Sequence, residues 1–481
     1  MPLFSSKIIR FIINFISRSR YSLIGGVMVI ILLPVLFVSI LLDMQGVVEN
    51  PYFGFLIYLV MGPMFIIGVM LLIGGIIFCR KEEDLGQLTL EYFEEELRRP
   101  GRFSRIRRLI FLTSFTTFIT LFIVGLVTYT GFHYTNTVKF CGQFCHSVME
   151  PEYVTYTNSP HSQVTCVECH IGASSEWVTK SKFSGARQLI AVLFDSYSRP
   201  IKTPITALRP ERKTCENCHR PEVFHGDKLY VIDKFLPDEK NTHVQTIMLM
   251  KIGSGDYSGR KAQGIHWHIS RNHEVSFVAS EDHSKIYEVT FVDEDQEKTV
   301  YRRKSGAGNF DAAGRHENIM DCMDCHNRPT HVFLSPEEAL DQKLVTGIIP
   351  GEIPFIKRQG LAAITGNYAS QDVARRAIAQ ELMDWYRQEY PGIVAGNEDL
   401  LQQAVIGVQQ AYVENVYPRM NIDWMTYTSH TGHQGDNGCF RCHNDEFVSD
   451  TGKQITRHCD ACHIVLVEEE PAKELSEILR R

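Results

Sequence analysis

Apolar positions are not spread evenly along the chain. Three long runs fall before residue 132, at about 22–42, 53–79 and 109–130. A helix needs about 20 apolar residues to cross a hydrocarbon core of roughly 30 Å, and each run reaches that length. The pattern predicts three N-terminal transmembrane helices. The runs contain no Asp, Glu, Lys, Arg or His, so they offer neither a proton path nor imidazole ligands within the bilayer.

Further along, the period changes. Between residues 226 and 315, IYEVTFV alternates Tyr287, Val289 and Phe291 with Glu288 and Thr290, and LYVIDKF, VQTIMLMKI, HEVSFVAS and KTVYRR behave alike. A period of two with turn signals such as GSGDYSGR between the runs predicts a small antiparallel β insert. Residues 335–416 return to a helical period. Leu401, Val405, Val408 and Tyr412 share one face, with Asn397 as cap and Pro418 as stop, and QDVARRAIAQELMDWY is a second helix. The charged end EEEPAKELSEILRR reads as a short exposed helix.

Charge then sets the orientation. Residues 1–21 carry Lys7, Arg10, Arg18 and Arg20, the 43–52 loop carries no Lys or Arg, and the 80–108 loop carries eight, from Arg80 to Arg108. The positive-inside rule puts the N-terminus and the 80–108 loop in the cytoplasm and residues 133–481 outside. The net charge of −7 is mild and dispersed, which argues against nucleic acid as a partner.

The chemistry sits in the cysteines. Twelve of thirteen form six pairs, each followed at once by histidine. The first pair is Cys141 and Cys145 with His146, and the second is Cys166 and Cys169 with His170. Then come Cys215, Cys218, His219; Cys322, Cys325, His326; Cys439, Cys442, His443; and Cys459, Cys462, His463. C-x-x-C-H is the attachment signature of c-type haem, with two thioethers on the porphyrin edge and the adjacent histidine on the iron. Disulfides would not need a histidine after every second cysteine, and zinc sites do not lock it to the next position. Six haems c in residues 133–481 leave little chain per site, so the porphyrins themselves must supply buried apolar surface and lie close together.

Each iron has a second face, and thirteen histidines lie outside the motifs. The candidates for distal ligands are His161, His225, His331, His430 or His433, and His266 or His268. The last two, in GIHWHIS, share a face if that stretch is a strand. In the first site three residues, not two, separate Cys141 from Cys145. The longer loop leaves two candidates for the iron, His146, which the extra residue can displace, and Met149, which is close enough to compete as axial ligand.

From Gly131 to Glu222 the sequence resembles the NapC/NirT family of membrane-anchored multihaem quinol dehydrogenases. The resemblance rests on CGQFCHSVME, the SPH before CVECHIG, EWVTKSKF and TCENCHRPEVFHG, with CMDCHNRPTH as a fourth site. It implies quinol docking beside the first haem, with Lys182, or Lys180, lining the quinol pocket. It also implies electron transfer from a menaquinol or ubiquinol pool in the inner membrane to periplasmic cytochromes or reductases. The three membrane runs, the roughly 100 residues between the third and fourth sites, and two further C-terminal sites depart from that pattern. In these respects the layout resembles the larger inner-membrane cytochromes of metal-respiring bacteria, which implies a role in extracellular respiration.

The expected fold class is thus a membrane-anchored multihaem cytochrome c. It has three N-terminal transmembrane helices and a mostly α or irregular, haem-packed periplasmic part carrying a small antiparallel β insert. Its expected divisions are a membrane region (1–132), a NapC/NirT-like haem domain (133–225), a β-rich insert (226–315), a fourth-haem segment (316–334), a helical linker (335–430) and a two-haem segment (431–481). The competing function is a terminal reductase with substrate at an open-site haem.

Overall fold

The computed structural model describes residues 19–44, 60–78, 126, 129–144, 146–172, 175–203, 211–220, 226–253, 263–304, 317–424 and 426–473. The chain divides into two compact units, Met1–Thr137 with Ile171–Arg187, and Val138–His170 with Gln188–Arg481.

In the first unit α1 (Arg20–Met44) packs against α2 (Gly62–Phe78). Small residues set the contact. A Cβ on Gly25 would fall 2.5 Å from the Gly68 carbonyl oxygen, and Ser19 Oγ donates to the Gly75 carbonyl at 3.1 Å. Such Gly/Ser contacts let backbones approach closely. The outer face leaves Ile24, Val27, Ile31, Ile66, Met70 and Ile77 exposed.

The expectation of three N-terminal transmembrane helices is corrected here: among the described residues no helix is long and apolar enough to cross a membrane. The run at 53–79 is helical over 17 residues as α2, which at about 1.5 Å per residue falls short of roughly 30 Å. The described side chains of α1 form an unbroken run only over 21–37, and Pro34 lies within it. The third run lies outside the described residues except at 126, 129 and 130.

The second unit begins with α3 (His146–Thr157) and α4 (Cys166–His170). Next come α5 (Ser175–Leu193), which has residues in both units, and α6 (Glu211–Cys215). All five predicted strands form. Strands β1 (Lys228–Phe235) and β2 (His243–Met250) make a hairpin in register from Lys228↔Met250 to Phe235↔His243. Strands β3 (Glu274–Ala279), β4 (Ile286–Val292) and β5 (Lys298–Arg303) make an antiparallel meander, joined by β6 (Glu317–Ile319). Its apolar face buries Val275, Phe277, Ile286 and Val289.

The strands do not close on themselves. After α7 (Cys322–Cys325) and the helices, β7 (Phe447–Ser449) pairs with β5, and β8 (His463–Pro471) pairs with β2. The sheets therefore run β1-β2-β8 and β6-β3-β4-β5-β7. Phe447 of the tail is completely buried in the second sheet's core. Strand β8 corrects the helical reading of the charged end at residues 468–471, which lie in an edge strand; Ala472 and Lys473 are helical, and 474–481 lie outside the described residues.

The helical stretch comprises α8 (Pro336–Val345), α9 (Ile356–Ile364), α10 (Gln371–Glu389), α11 (Pro391–Gly396) and α12 (Glu398–Val413). Its core is dry: Leu340, Ile356, Ile364, Ile378, Tyr386, Leu401 and Val408 are completely buried. The face predicted from Leu401, Val405, Val408 and Tyr412 points inward. Asn397 stands at the N-cap without a capping side-chain bond. A buried pair, Lys357 Nζ to Asp341 Oδ1 at 2.6 Å, lies at the core's edge, and Asp341 also accepts from the Phe235 amide of β1.

Candidate functional site

The cysteine motifs fold as single turns. In three of them the histidine amide donates back to the carbonyl of the first cysteine: His219 to Cys215 and His326 to Cys322, both at 2.8 Å, and His443 to Cys439 at 2.9 Å. A helical turn puts residues three and four apart on one side, so both sulfurs and the imidazole can address one group. The Cys322 turn is capped by Asp321, whose carboxylate accepts from the Cys322 amide, and by Asp324, which accepts from the Asp321 amide at 2.7 Å.

The motifs lie next to one another in chain order. Cys141 and Cys166 share a side-chain hydrogen bond, which with burial raises the Cys166 thiol pKa. The Cys169 thiol is raised by burial and by Cys215 and Cys218. A second thiol contact joins Cys215 to Cys322. Burial, then Cys439, pushes Cys325 up to about 11, and burial pushes Cys442 up to about 12. Burial and the neighbouring Cys439 and Cys459 raise Cys462. Thiol hydrogen bonds thus join the first motif to the second and the third to the fourth, and the remaining neighbours in chain order are electrostatically coupled. Cys145, and the side chain of His146, lie outside the described residues.

Opposed imidazoles accompany the series. Ring centroids of His161 and His219 stand 6.0 Å apart, His170 and His331 6.3 Å, His268 and His443 5.8 Å, and His433 and His463 6.0 Å. A metal–imidazole bond is about 2 Å, so two imidazoles on one ion put their centroids about 6 Å apart once a ring radius is added on each side. In each pair one member directly follows a cysteine pair. The outer members are fixed by backbone. His161 Nδ1 lies 3.1 Å from the Pro329 carbonyl, His331 Nδ1 3.0 Å from that of Glu152, and His268 Nδ1 2.8 Å from that of Ile265. A carbonyl on Nδ1 selects the tautomer whose Nε2 lone pair can bind metal. Burial lowers the pKa of His170 and His268 and brings His331 down to about 4, which keeps these rings neutral. A cavity of about 460 Å³ lined by His433, Phe440, Arg303 and Arg457 adjoins the last pair, within the range that holds small cofactors. The donor set and spacing therefore fit haem c.

The other predicted residues fall as follows. Met149 is half-buried and packs on the cluster of Val148, Phe333, Tyr417 and Tyr427. His430 is buried, its Nδ1 3.2 Å from the Asp324 carbonyl, and its pKa is lowered to about 4, chiefly by burial. His225 lies outside the described residues. Lys180 and Lys182 lie on α5, with side chains outside the described set. The strand reading of GIHWHIS is corrected: Ile265–Ile269 is a 3₁₀ turn.

Two residues escaped sequence reasoning. Glu152 is half-buried in α3 with Oε2 3.3 Å from His331 Nδ1, and desolvation raises its pKa. Arg441, between the two cysteines of the fifth motif, is buried and donates to the carbonyls of Gly438, His283 and Asp324, tying that motif to the fourth. Its placement inside CFRCH was the available signal.

Covalent-haem motifs coupled to one another in chain order, with an imidazole opposed at about 6 Å in four of them, define a multihaem c-type cytochrome. The chain belongs to the NapC/NirT cytochrome c family, whose N-terminal-region model matches residues 104–229. It is 35% identical over 455 residues to the cytochrome c-type protein ImcH of Geobacter sulfurreducens, covering 92% of this chain and 87% of that protein. No solved structure matches. Its cofactor is haem c and its work is electron transfer.

Proposed function

We propose that the protein is an inner-membrane quinol dehydrogenase that passes electrons from the menaquinol or ubiquinol pool through six haems c to periplasmic cytochromes or reductases, and on toward extracellular respiration. The observation that carries this reading is the succession of motifs from Cys141 to Cys462, each electrostatically coupled to the next, with imidazoles opposed at about 6 Å in four of them. Haem c, when bound, supplies one-electron transfer. A quinol gives up two electrons and two protons, so two haems, when bound, would take one electron each and a base the protons. Lys182 or Lys180 on α5, a nearby carboxylate, or water would be that base. The apolar helix pair of the first unit, with its exposed Ile and Val side chains, attaches the chain to the inner membrane and leaves the haem-bearing part in the periplasm.

The chain's residues hold and orient the six groups. His161, His331 and His433 would hold the third, second and sixth haems with His219, His170 and His463, whose rings they face at 6.0–6.3 Å. His146 or Met149 would hold the first haem. A terminal reductase needs an open iron, and imidazoles opposed at 5.8 Å and 6.0 Å in the fifth and sixth sites weigh against one there.

The test is reduction of the haems in isolated membranes by a menaquinol analogue. Full reduction is expected, and Lys182→Ala should slow it about 100-fold at unchanged haem content. Haem-loaded protein that the quinol cannot reduce would defeat the dehydrogenase reading.

A further inference from the structure

We infer that the single turn Ile265–Ile269 supplies the sixth ligands of two consecutive haems, His266 to the fourth and His268 to the fifth, and so sets their spacing. This deepens the reading that the cysteine motifs carry haem c and rests on it.

A 3₁₀ helix has about three residues per turn, so His266, Trp267 and His268 leave the turn in three directions about 120° apart. The two imidazoles therefore cannot meet on one iron. His268 faces His443, at 5.8 Å between centroids and 83° between planes. His266 leaves the turn on another side and is electrostatically coupled to His326 of the fourth motif, as His219 is. Nδ1 of each is held by a carbonyl at 2.8 Å, from Ile252 for His266 and from Ile265 for His268. Both rings thus turn their Nε2 edges away from their own backbone.

The turn is anchored from three sides, as a ligand clip has to be. Trp267 goes into the core of the second sheet, 4.3 Å from the His273 ring and 5.2 Å from Phe291. The Ile265 amide donates to the Lys251 carbonyl at 2.8 Å, and the Lys251 amide donates to the Cys462 carbonyl at 2.9 Å. Gly264 enters the turn at φ 69°, and a Cβ there would sit 2.2 Å from the Lys251 carbonyl oxygen, so the entry needs glycine. On this account the β strands between the third and fourth motifs are a ligand arm. The tail strand β8, which begins at His463, is laced to that arm through β2.

The experiment uses the membrane-bound, haem-loaded protein and the variants His266→Ala, His268→Ala and the double variant. Mass spectrometry counts thioether-bound haem, and electron paramagnetic resonance with visible absorption counts low-spin and high-spin irons. Each single variant should convert one haem to high spin and the double variant two, with added imidazole restoring low spin. Where an alanine variant fails to accumulate, His266→Met and His268→Met, which keep a sixth ligand, should each shift the spectrum of one haem. A spectrum unchanged in either single variant, or only one haem altered in the double, overturns the inference. Wild-type protein without thioether-bound haem would overturn instead the reading on which it rests.

Discussion

The helical stretch around α8–α12 and the sheet β1-β2-β8 are built from similar apolar side chains and treat them in opposite ways. In the helices, Leu340, Ile356, Ile378 and Leu401 are fully buried against one another. In the sheet, Leu229, Tyr230, Val231 and Ile232 on β1 and Ile464, Val465 and Leu466 on β8 stay exposed. The helices satisfy the hydrophobic effect with their own residues. The sheet, whose β8 starts at the histidine of the sixth motif, leaves its apolar area open, and on the proposed reading a porphyrin covers it. One region is complete in itself, and the other is completed only by what that reading adds.

The largest test of that contrast removes the porphyrins. With Cys145, Cys169, Cys218, Cys325, Cys442 and Cys462 replaced by Ala, limited proteolysis should release a resistant fragment spanning about residues 335–424, while the sheets and motif turns are cut. Local stability varies within proteins as buried contact density does, so the contrast should be plain. Equal protection of both regions would mean that the sheets hold without cofactor.

Truncations sharpen it. Leu340→Ala, at a site with no exposure, should cost about 3–4 kcal/mol in chemical denaturation whether or not haem is attached. Ile464→Ala should cost little in apoprotein and about 1–2 kcal/mol more in the haem-loaded form, where its side chain is covered. A cost independent of haem at Ile464 would break the link between that sheet and the cofactor.

Much of this architecture was legible locally. The six cysteine motifs, five strands and the inward face of α12 follow from spacings of a few residues. What stayed hidden was long-range or ambiguous in period. Nothing near Val244 announces its pairing with Pro471, so the joining of the tail to the β module could not be read. HWH alternates as a strand would, but Trp267 goes into the core and the positive φ of Gly264 starts a tight turn instead. Glu468, Glu469 and Glu470 look helical in composition, and an edge strand open to solvent tolerates them. The opposed imidazoles come from segments far apart in sequence, which is why the list of distal candidates could be drawn up but not paired. The apolar N-terminal runs have the composition of membrane spans, yet length in sequence did not become length in described helix.

The smallest effect separates the two regions by a shared device. Both hold a capping box: Ser335 with Glu338 at the start of α8, and Asp321 with Asp324 at the start of the haem turn α7. In each, the cap side chain takes an orphan amide of the first turn while the third residue reaches back to the cap amide, at 2.9 Å for Glu338 and 2.7 Å for Asp324. A cap of this type is worth about 1 kcal/mol where the helix is held only by non-covalent forces. Ser335→Ala should therefore lower global stability by about 1 kcal/mol with or without haem. Asp321→Ala should leave the stability of haem-loaded protein almost unchanged, because two thioethers and His326 already fix that turn, and should show itself earlier, as a reduced yield of haem attachment at the fourth site. Mass spectrometry of the Cys322–His326 peptide measures that yield. A full yield together with a loss of about 1 kcal/mol in the loaded protein would show that the haem turn is held by its own hydrogen bonds, as α8 is.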